Sequence, residues 1–492
     1  MKRIFSLVMI TLLLLSTACS FDANDEPIGV LIPESTGTTS EKANETASKT
    51  PVPESSPSPA SKTTAACFYV KSNELYFTDS VLRTPIRLSQ NMLSEWSHDA
   101  DSVLSFARNQ LIAKYYEGQG RFVLFSDNAG QDLYYRDVSA ANGNNVLIAE
   151  NASPGFQSTY MVPEKSVVYY LSGLHADLYE FSMSTGELSN VDTMIADISL
   201  SKEADITYTC VEGDQSLRYF KNAGEEKRLS PDSDYAPSSR DILASFADSQ
   251  WYMWTAAEGG KDVYYQNGSS KQKVCHVDES IFRKDYLVSP VLNKPVFLFS
   301  YRMYKVFLLI GADSYEISFG SDASISKISL DKQGKRAYVM VEDSENCALY
   351  CIDLEKQAYT TPILLADHLK IYNIDSEGRV YCITTANELT SNGVILDSGD
   401  DLHFLGGAGD MLLYTTNDIS GDYTLKYVKA LKTVFVADHV HDHIQRKEQI
   451  FWLGDYDSDT STGNLYLFDE TGNHLMDTDV MCFIGYQSST VS

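Results

Sequence analysis

The feature that most limits what this chain can fold into is a short apolar unit that recurs along almost its whole length. A Leu or Val, followed within two residues by an aromatic and then by a turn, begins at Leu75, Leu133, Leu178, Leu217, Val263, Val306, Leu349, Leu425 and Leu465, with a weaker copy at Leu389. From Leu75 to Leu465 the steps average about 43 residues. Around each copy the hydrophobic period is 2 rather than 3.6, and the runs are rich in Tyr, Val, Phe and Ile, so the units read as strands. A later turn in several units looks alike, as in Ser184-Thr185-Gly186, Asn222-Ala223-Gly224, Gln266-Asn267-Gly268 and Glu470-Thr471-Gly472. Each is a place where φ > 0 is cheap. An earlier hairpin has a polar tip, as in Glu117-Gly118-Gln119-Gly120, Pro163-Glu164-Lys165, Lys332-Gln333-Gly334-Lys335 and Asp375-Ser376-Glu377-Gly378.

A four-stranded antiparallel sheet of this size cannot bury both faces alone, so it must stack on copies of itself. Val167-Val168-Tyr169-Tyr170-Leu171 and Val296-Phe297-Leu298-Phe299 are apolar on both faces, as strands squeezed between neighbouring sheets should be. A step of roughly 40–45 residues is that of a propeller blade. The expected fold is therefore all-β, a β-propeller of four-stranded antiparallel blades over 67–492, with about seven to ten blades. Ten units exceed the usual four to eight, which leaves two smaller rings open, and an array of β-sandwiches is the structural alternative. The apolar strand 480–486 is expected to complete the blade begun by Cys67-Phe68-Tyr69-Val70.

Residues 330–339, Leu-Asp-Lys-Gln-Gly-Lys-Arg-Ala-Tyr-Val, look like the Ser-Pro-Asp-Gly-Lys-x-Ile-x-Phe hairpin of TolB-like propellers, with Asp331 two residues early and the Pro absent. Over about 425 residues the chain resembles the TolB-like and WD-repeat-like β-propellers of bacterial surface lipoproteins, although it has no Trp-Asp dipeptide. The resemblance is one of architecture. It implies an exported protein that senses or assembles other envelope components.

The N-terminus agrees with export. Lys2 and Arg3 precede an apolar run from Ile4 to Leu15, too short to span a bilayer and of signal-peptide length. The run ends in Leu15-Ser16-Thr17-Ala18-Cys19, which resembles the lipobox of bacterial lipoproteins, with Ser16 where the family prefers Leu. Residues 1–18 are then a lipoprotein signal peptide, and Cys19 carries the lipid that holds the chain to the extracytoplasmic face of the cell membrane. Ser16-Thr17-Ala18 also suits ordinary signal-peptidase cleavage and free secretion. Residues 19–66 read as a disordered Ser/Thr/Pro-rich tether, whose r.m.s. reach is about 40 Å.

The net charge of -28 argues against nucleic acid as a partner, because phosphate neutralisation needs clustered Lys and Arg. No Gly-x-Ser-x-Gly elbow, P-loop, Rossmann fingerprint or His-Glu-x-x-His occurs. Of the 8 Cys, none form a Cys-x-x-Cys pair. Cys347 and Cys351 lie about 13 Å apart in an extended strand and cannot bridge. Cys210 and Cys382 are expected to be buried thiols, and Cys67 and Cys482 are the candidate closing disulfide, able to meet if the terminal strands pair.

His439-Val440-His441-Asp442-His443 places His at alternate positions of a strand, so His439 and His441 are the candidate zinc ligands, with an exposed polar edge as the plainer reading. Asp455-Tyr456-Asp457-Ser458-Asp459 is similar to a calcium loop, but Thr460 and Tyr466 stand where that loop needs Gly and Glu, so a solvated turn is the better reading. Ser126-Asp127-Asn128-Ala129-Gly130 is a degenerate sialidase Asp box, and Trp251-Tyr252-Met253-Trp254 reads as a buried strand before it reads as a sugar platform. No catalytic residue is assigned and no cofactor beyond calcium or zinc is suggested. The function expected is non-catalytic binding of an envelope protein, peptide or glycan, and the alternative is a glycan- or peptide-processing lyase or hydrolase on the propeller face.

Overall fold

The computed structural model describes residues 64–484 apart from 90–110, 201–205, 229–241 and several shorter loop stretches. Cys19 and the expected signal peptide and tether, up to residue 63, lie outside the described residues. Strands and turns make up nearly everything that is described, with one 3-10 turn at Pro163–Lys165.

Seven sheets are four-stranded, and in each the strands follow chain order from one edge to the other. An eighth sheet has ten strands because two long strands, Lys432–Arg446 and Gly472–Phe483, are each shared by two units. The first half of Lys432–Arg446 pairs back onto Tyr423–Lys429, and its second half pairs forward onto Gln449–Asp457. Gly472–Phe483 does the same between Thr462–Asp469 and Ala66–Lys71. Divided at these two bends, the long sheet yields three more four-stranded units, ten in all. The protein is a β-propeller of four-stranded antiparallel blades. Blade 1 joins 480–483 to 66–87, and blades 2 to 10 follow at 113–149, 159–192, 195–228, 242–277, 283–318, 324–366, 369–398, 403–437 and 440–477.

Each repeated Leu or Val of the sequence falls on the third strand of its blade. Leu75, Leu133, Leu178, Val263, Val306, Leu349, Leu389, Leu425 and Leu465 are fully buried. Alternation sends neighbouring side chains to opposite interfaces. On Lys294–Arg302, Phe297 and Phe299 pack against blade 5, whereas Val296 and Leu298 pack against blade 7. Apolar clusters of this kind join blade 5 through blade 10 to blade 1 and on to blade 4 in one succession. The units are thus successive neighbours and not two separate sets. The strand expected to complete blade 1 does so, with Tyr69 opposite Phe483, Val70 opposite Cys482 and the Ile484 amide donating to Phe68 O at 3.0 Å.

The fourth strands are the outer ones. Ile363–Ala366 and Val394–Ser398 are largely exposed, whereas the first strands of blades 5, 6 and 7 approach their neighbours within 8 Å between Cα atoms. Turns from first to second and from third to fourth strand gather at one end of the blades, which we term the hairpin end. Links to the next blade lie at the opposite, crossing end. Left-handed residues recur there, at Met194, His368, His439 and Asp479, whose φ values are 58°, 52°, 54° and 57°. A strand leaving an outer edge must change direction sharply to enter the next inner edge, and one residue in this region makes the bend.

Candidate functional site

At the crossing from blade 9 to blade 10, the alternation expected of the His439–His443 segment breaks down. His439 makes the bend itself, and the pairing register slips between Val440 and Asp442, leaving His441 as a bulge. A bulge reverses the facing of everything beyond it, so the three imidazoles do not share one face. His441 stacks on Tyr456 with ring centroids 3.5 Å apart, and its Nδ1 lies 3.3 Å from Asp422 Oδ1. His443 points into the blade, with Nδ1 2.5 Å from the Tyr423 hydroxyl, and burial pushes its pKa down. Among the described residues no group of three His, Cys, Asp or Glu is gathered as a metal site would require. His439 and His441, the expected zinc pair, are thus joined by no third ligand among the described residues.

The acidic segment 455–459, read as a turn in preference to a calcium loop, is held by its own hydrogen bonds. Asp455 Oδ2 accepts from the Tyr466 hydroxyl at 2.8 Å and from Asn464 Nδ2 at 3.0 Å. Asp457 Oδ1 accepts the Asp459 amide at 2.8 Å. These carboxylates shape the hairpin. The Cys67–Cys482 disulfide is not formed: although their strands pair, the two side chains face opposite ways. Cys67 belongs to the interface with blade 10 and Cys482 to that with blade 2, because Cys482 opposes Val70, an odd number of residues from Cys67. Burial pushes the Cys67 thiol far above its usual range. The segment 251–254 is a blade strand, with Tyr252 fully buried and Lys261 Nζ 3.2 Å from the centre of the Trp254 ring, covering one face of that ring.

A polar cleft of about 390 Å³ opens at the hairpin end between blades 7 and 8. Asp331, Gln333, Lys335 and Arg336 reach it from the first hairpin of blade 7, Glu377 and Gly378 from that of blade 8, and Glu355 from the next turn of blade 7. Both hairpins are closed by a buried Asp. Asp331 Oδ1 accepts the Lys335 amide at 2.7 Å, and Asp375 Oδ1 accepts the Arg379 amide at 2.9 Å. Burial pushes the Asp331 pKa up, opposed by the amides it accepts. Asp331, three residues before Gly334, thus caps its turn.

Gly334 is left-handed, at φ 63°, and a Cβ there would meet Ser289 of blade 6 at 2.7 Å. That closeness lets the Ser289 hydroxyl donate to Gly334 O at 2.7 Å. The pattern continues around the end. Gln333 Nε2 donates to Ser376 O, and the Ser376 amide donates to Gly409 O at 2.9 Å, so blades 6, 7, 8 and 9 are linked tip to tip. The cleft carboxylates are engaged as well: Glu377 and Asp375 with Arg379, and Glu355 with Lys335 at 3.6 Å.

Sequence reasoning did not foresee the tyrosines of the second strands. Tyr69, Tyr170, Tyr208, Tyr252, Tyr338, Tyr381 and Tyr414 are among the largest fully buried side chains, each on the second strand of its blade. The Tyr252 hydroxyl donates to Gly311 O of the next blade at 2.8 Å, and the Tyr381 hydroxyl lies 3.4 Å from the Leu431 amide of the next. The count of 31 Tyr was the available signal, since a side chain with an apolar body and a polar tip suits a position that packs in one blade and bonds to another.

No protein-family model matches the chain, and no curated protein does. Among solved structures, dipeptidyl peptidase 4 of Porphyromonas gingivalis is similar with a TM-score of 0.40 at 11% identity, over 65% of this chain and 59% of that one. The chain therefore spans 59% of the length of that peptidase. A eukaryotic initiation factor is similar with a TM-score of 0.44 at 9% identity, over 86% of this chain and 98% of that one. Oligogalacturonate lyase of Vibrio parahaemolyticus is similar with a TM-score of 0.32 at 9% identity, over 57% of this chain and 85% of that one.

Proposed function

We propose that this chain is a lipid-anchored, extracytoplasmic β-propeller that binds a protein, peptide or glycan of the cell envelope without turning it over. The observation that carries this reading is the state of the acids at the cleft between blades 7 and 8. Asp331 and Asp375 are spent on backbone amides, and Glu355 and Glu377 face cations. A general acid or base needs a carboxyl free to exchange a proton with the reacting group, whereas a recognition surface needs fixed polar groups held in place. The lipobox-like Leu15–Cys19 segment and the polar stretch after it support a tethered placement.

The reading is tested by the mass of the mature N-terminus together with a ligand screen on the intact chain. A diacylglycerol-modified Cys19 and saturable retention of an envelope peptide or glycan, recovered unchanged, are expected. An unmodified N-terminus removes the anchor, and a cleaved or eliminated product replaces binding by catalysis. The alternative, a peptide- or glycan-processing enzyme, is favoured by one observation, the His441 imidazole held beside Asp422 and stacked on Tyr456. Under that alternative His441→Ala abolishes turnover while ligand retention persists.

A further inference from the structure

The first strand of each separate four-stranded blade is a sheet edge, so carbonyls along it lack a ladder partner. In blades 5 to 8 cations of the adjoining first strands fill that need. Arg283 Nε donates to Ser326 O at 2.6 Å, from blade 6 to blade 7. Lys284 Nζ donates to Leu243 O at 3.3 Å, from blade 6 back to blade 5. Lys327 Nζ donates to Tyr372 O at 2.8 Å, from blade 7 to blade 8, and lies 4.7 Å above the Tyr372 ring.

A carbonyl accepts one hydrogen bond from each cation and cancels none of its charge. Elsewhere in the same blades the cations meet acids, as Arg302 meets Asp278, Lys305 meets Glu316 and Lys356 meets Asp353. For Arg283, Lys284 and Lys327 no ion pair occurs among the described residues. Burial pushes the Lys327 pKa down, the direction that desolvation gives. Asp285, the acid beside Lys284, accepts the amides of Tyr286 and Leu330. An ammonium has three N–H donors and a guanidinium five, so each of the three side chains keeps further donors after its carbonyl is served.

In a protein of net charge -28, three inner-edge cations on carbonyls, one at each of three successive blade junctions, are a local reversal of sign. We propose that this inner edge of blades 5 to 8 binds an extended acidic peptide, its carboxylates meeting Arg283, Lys284 and Lys327. The spacing favours a peptide. The first strands of blades 5 and 6 and of blades 6 and 7 approach within 8 Å between Cα atoms, and alternate side chains of an extended peptide stand about 7 Å apart on one side. This deepens the binding reading by naming a ligand class at a second place on the propeller.

The test is fluorescence anisotropy with the intact chain and a labelled octapeptide of alternating Glu and Ser, with a Gln-Ser octapeptide as control. Saturable binding of the Glu peptide alone is expected, weakening as salt rises through about 0.15 M. The paired substitution R283Q and K284Q should weaken it about tenfold, since both are exposed positions that leave the fold intact. Lys356→Gln, whose side chain is 77% exposed and far from this edge in the blade, should leave it unchanged. Lys327→Met is measured as well, and if it fails to fold the exposed pair decides. Equal affinity in the double variant, equal binding of the Gln peptide, or tight binding of an acidic oligosaccharide with none of the peptide would overturn the proposal. If envelope ligands are retained by the double variant as by the parent, the general binding reading survives and this site does not.

Discussion

His443 occupies a position where a neutral imidazole is useful and a charged one is not. It is half-buried between blades 9 and 10, against the Tyr423 hydroxyl, with the ring of Tyr423 edge-on at 5.9 Å between centroids. Desolvation lowers its pKa, while the nearby Asp442 pulls the other way and does not prevail. In the unfolded chain His titrates near 6.5, so below that pH the unfolded state binds more protons than the folded state. Stability is therefore fully present above about pH 6.5 and is lost as pH falls through the unfolded value toward the lowered folded one. His443→Gln should flatten the fall in urea midpoint between pH 7 and pH 5 relative to the parent. An unchanged slope would place the acid sensitivity in other groups.

The strand repeat was legible because its key position is apolar and branched in every copy, from Leu75 to Leu465, and such residues have few uses outside a core. The shared strands were not legible, because the bend of Lys432–Arg446 falls in the polar run from Asp438 to His443, which reads as an exposed polar edge. The bulge at His441 was hidden for a related reason: strict alternation is the default for a strand, and nothing in His-Val-His-Asp-His marks the residue that leaves it. The engaged acids at the cleft were half visible. Asp-x-x-Gly at Asp331 and Asp375 announces a turn, but the Ser289 and Gln333 contacts that tie the tips together come from other blades, about 43–45 residues away in the chain. One hairpin shows a local choice the sequence makes against its own interest. Ala430 and Leu431 both have φ > 0, at 50° and 64°, between Tyr423–Lys429 and the strand that begins at Lys432. Asn and Gly are the residues that such a two-residue turn prefers. Replacing Ala430 with Asn and Leu431 with Gly should stabilise the protein by about 1–2 kcal/mol. Leu431 is 46% exposed, so little burial is lost, and its amide remains to meet Tyr381. Urea denaturation would show the gain, and a lower midpoint would mean that the exposed Leu431 side chain contributes more than its backbone costs.

At the scale of the molecule, the first and last described strands belong to one blade. Val480, Cys482, Phe483 and Ile484 are almost completely buried, on both faces of blade 1. Removing residues 478–492 would uncover these side chains and their neighbours in blades 2 and 10, at a cost on the order of 6 kcal/mol or more. That is comparable with the whole stability of an ordinary domain. The truncated chain should therefore lose its cooperative thermal transition instead of fraying at one end. A melting temperature within a few degrees of the parent would show that the blades hold without this strand.

The shared strands also decide how the protein would respond to being pulled. Blades 9, 10 and 1 form one hydrogen-bonded sheet of ten strands, and the described chain enters it at Ala66–Lys71, flanked on both sides by paired neighbours. A load arriving from the N-terminal side runs along that strand, so its ladder bonds are sheared together and cannot be opened one after another. The same attachment at an outer strand would unzip. A pull on the chain ahead of Ala66 would therefore be met by a strand laddered along both of its edges.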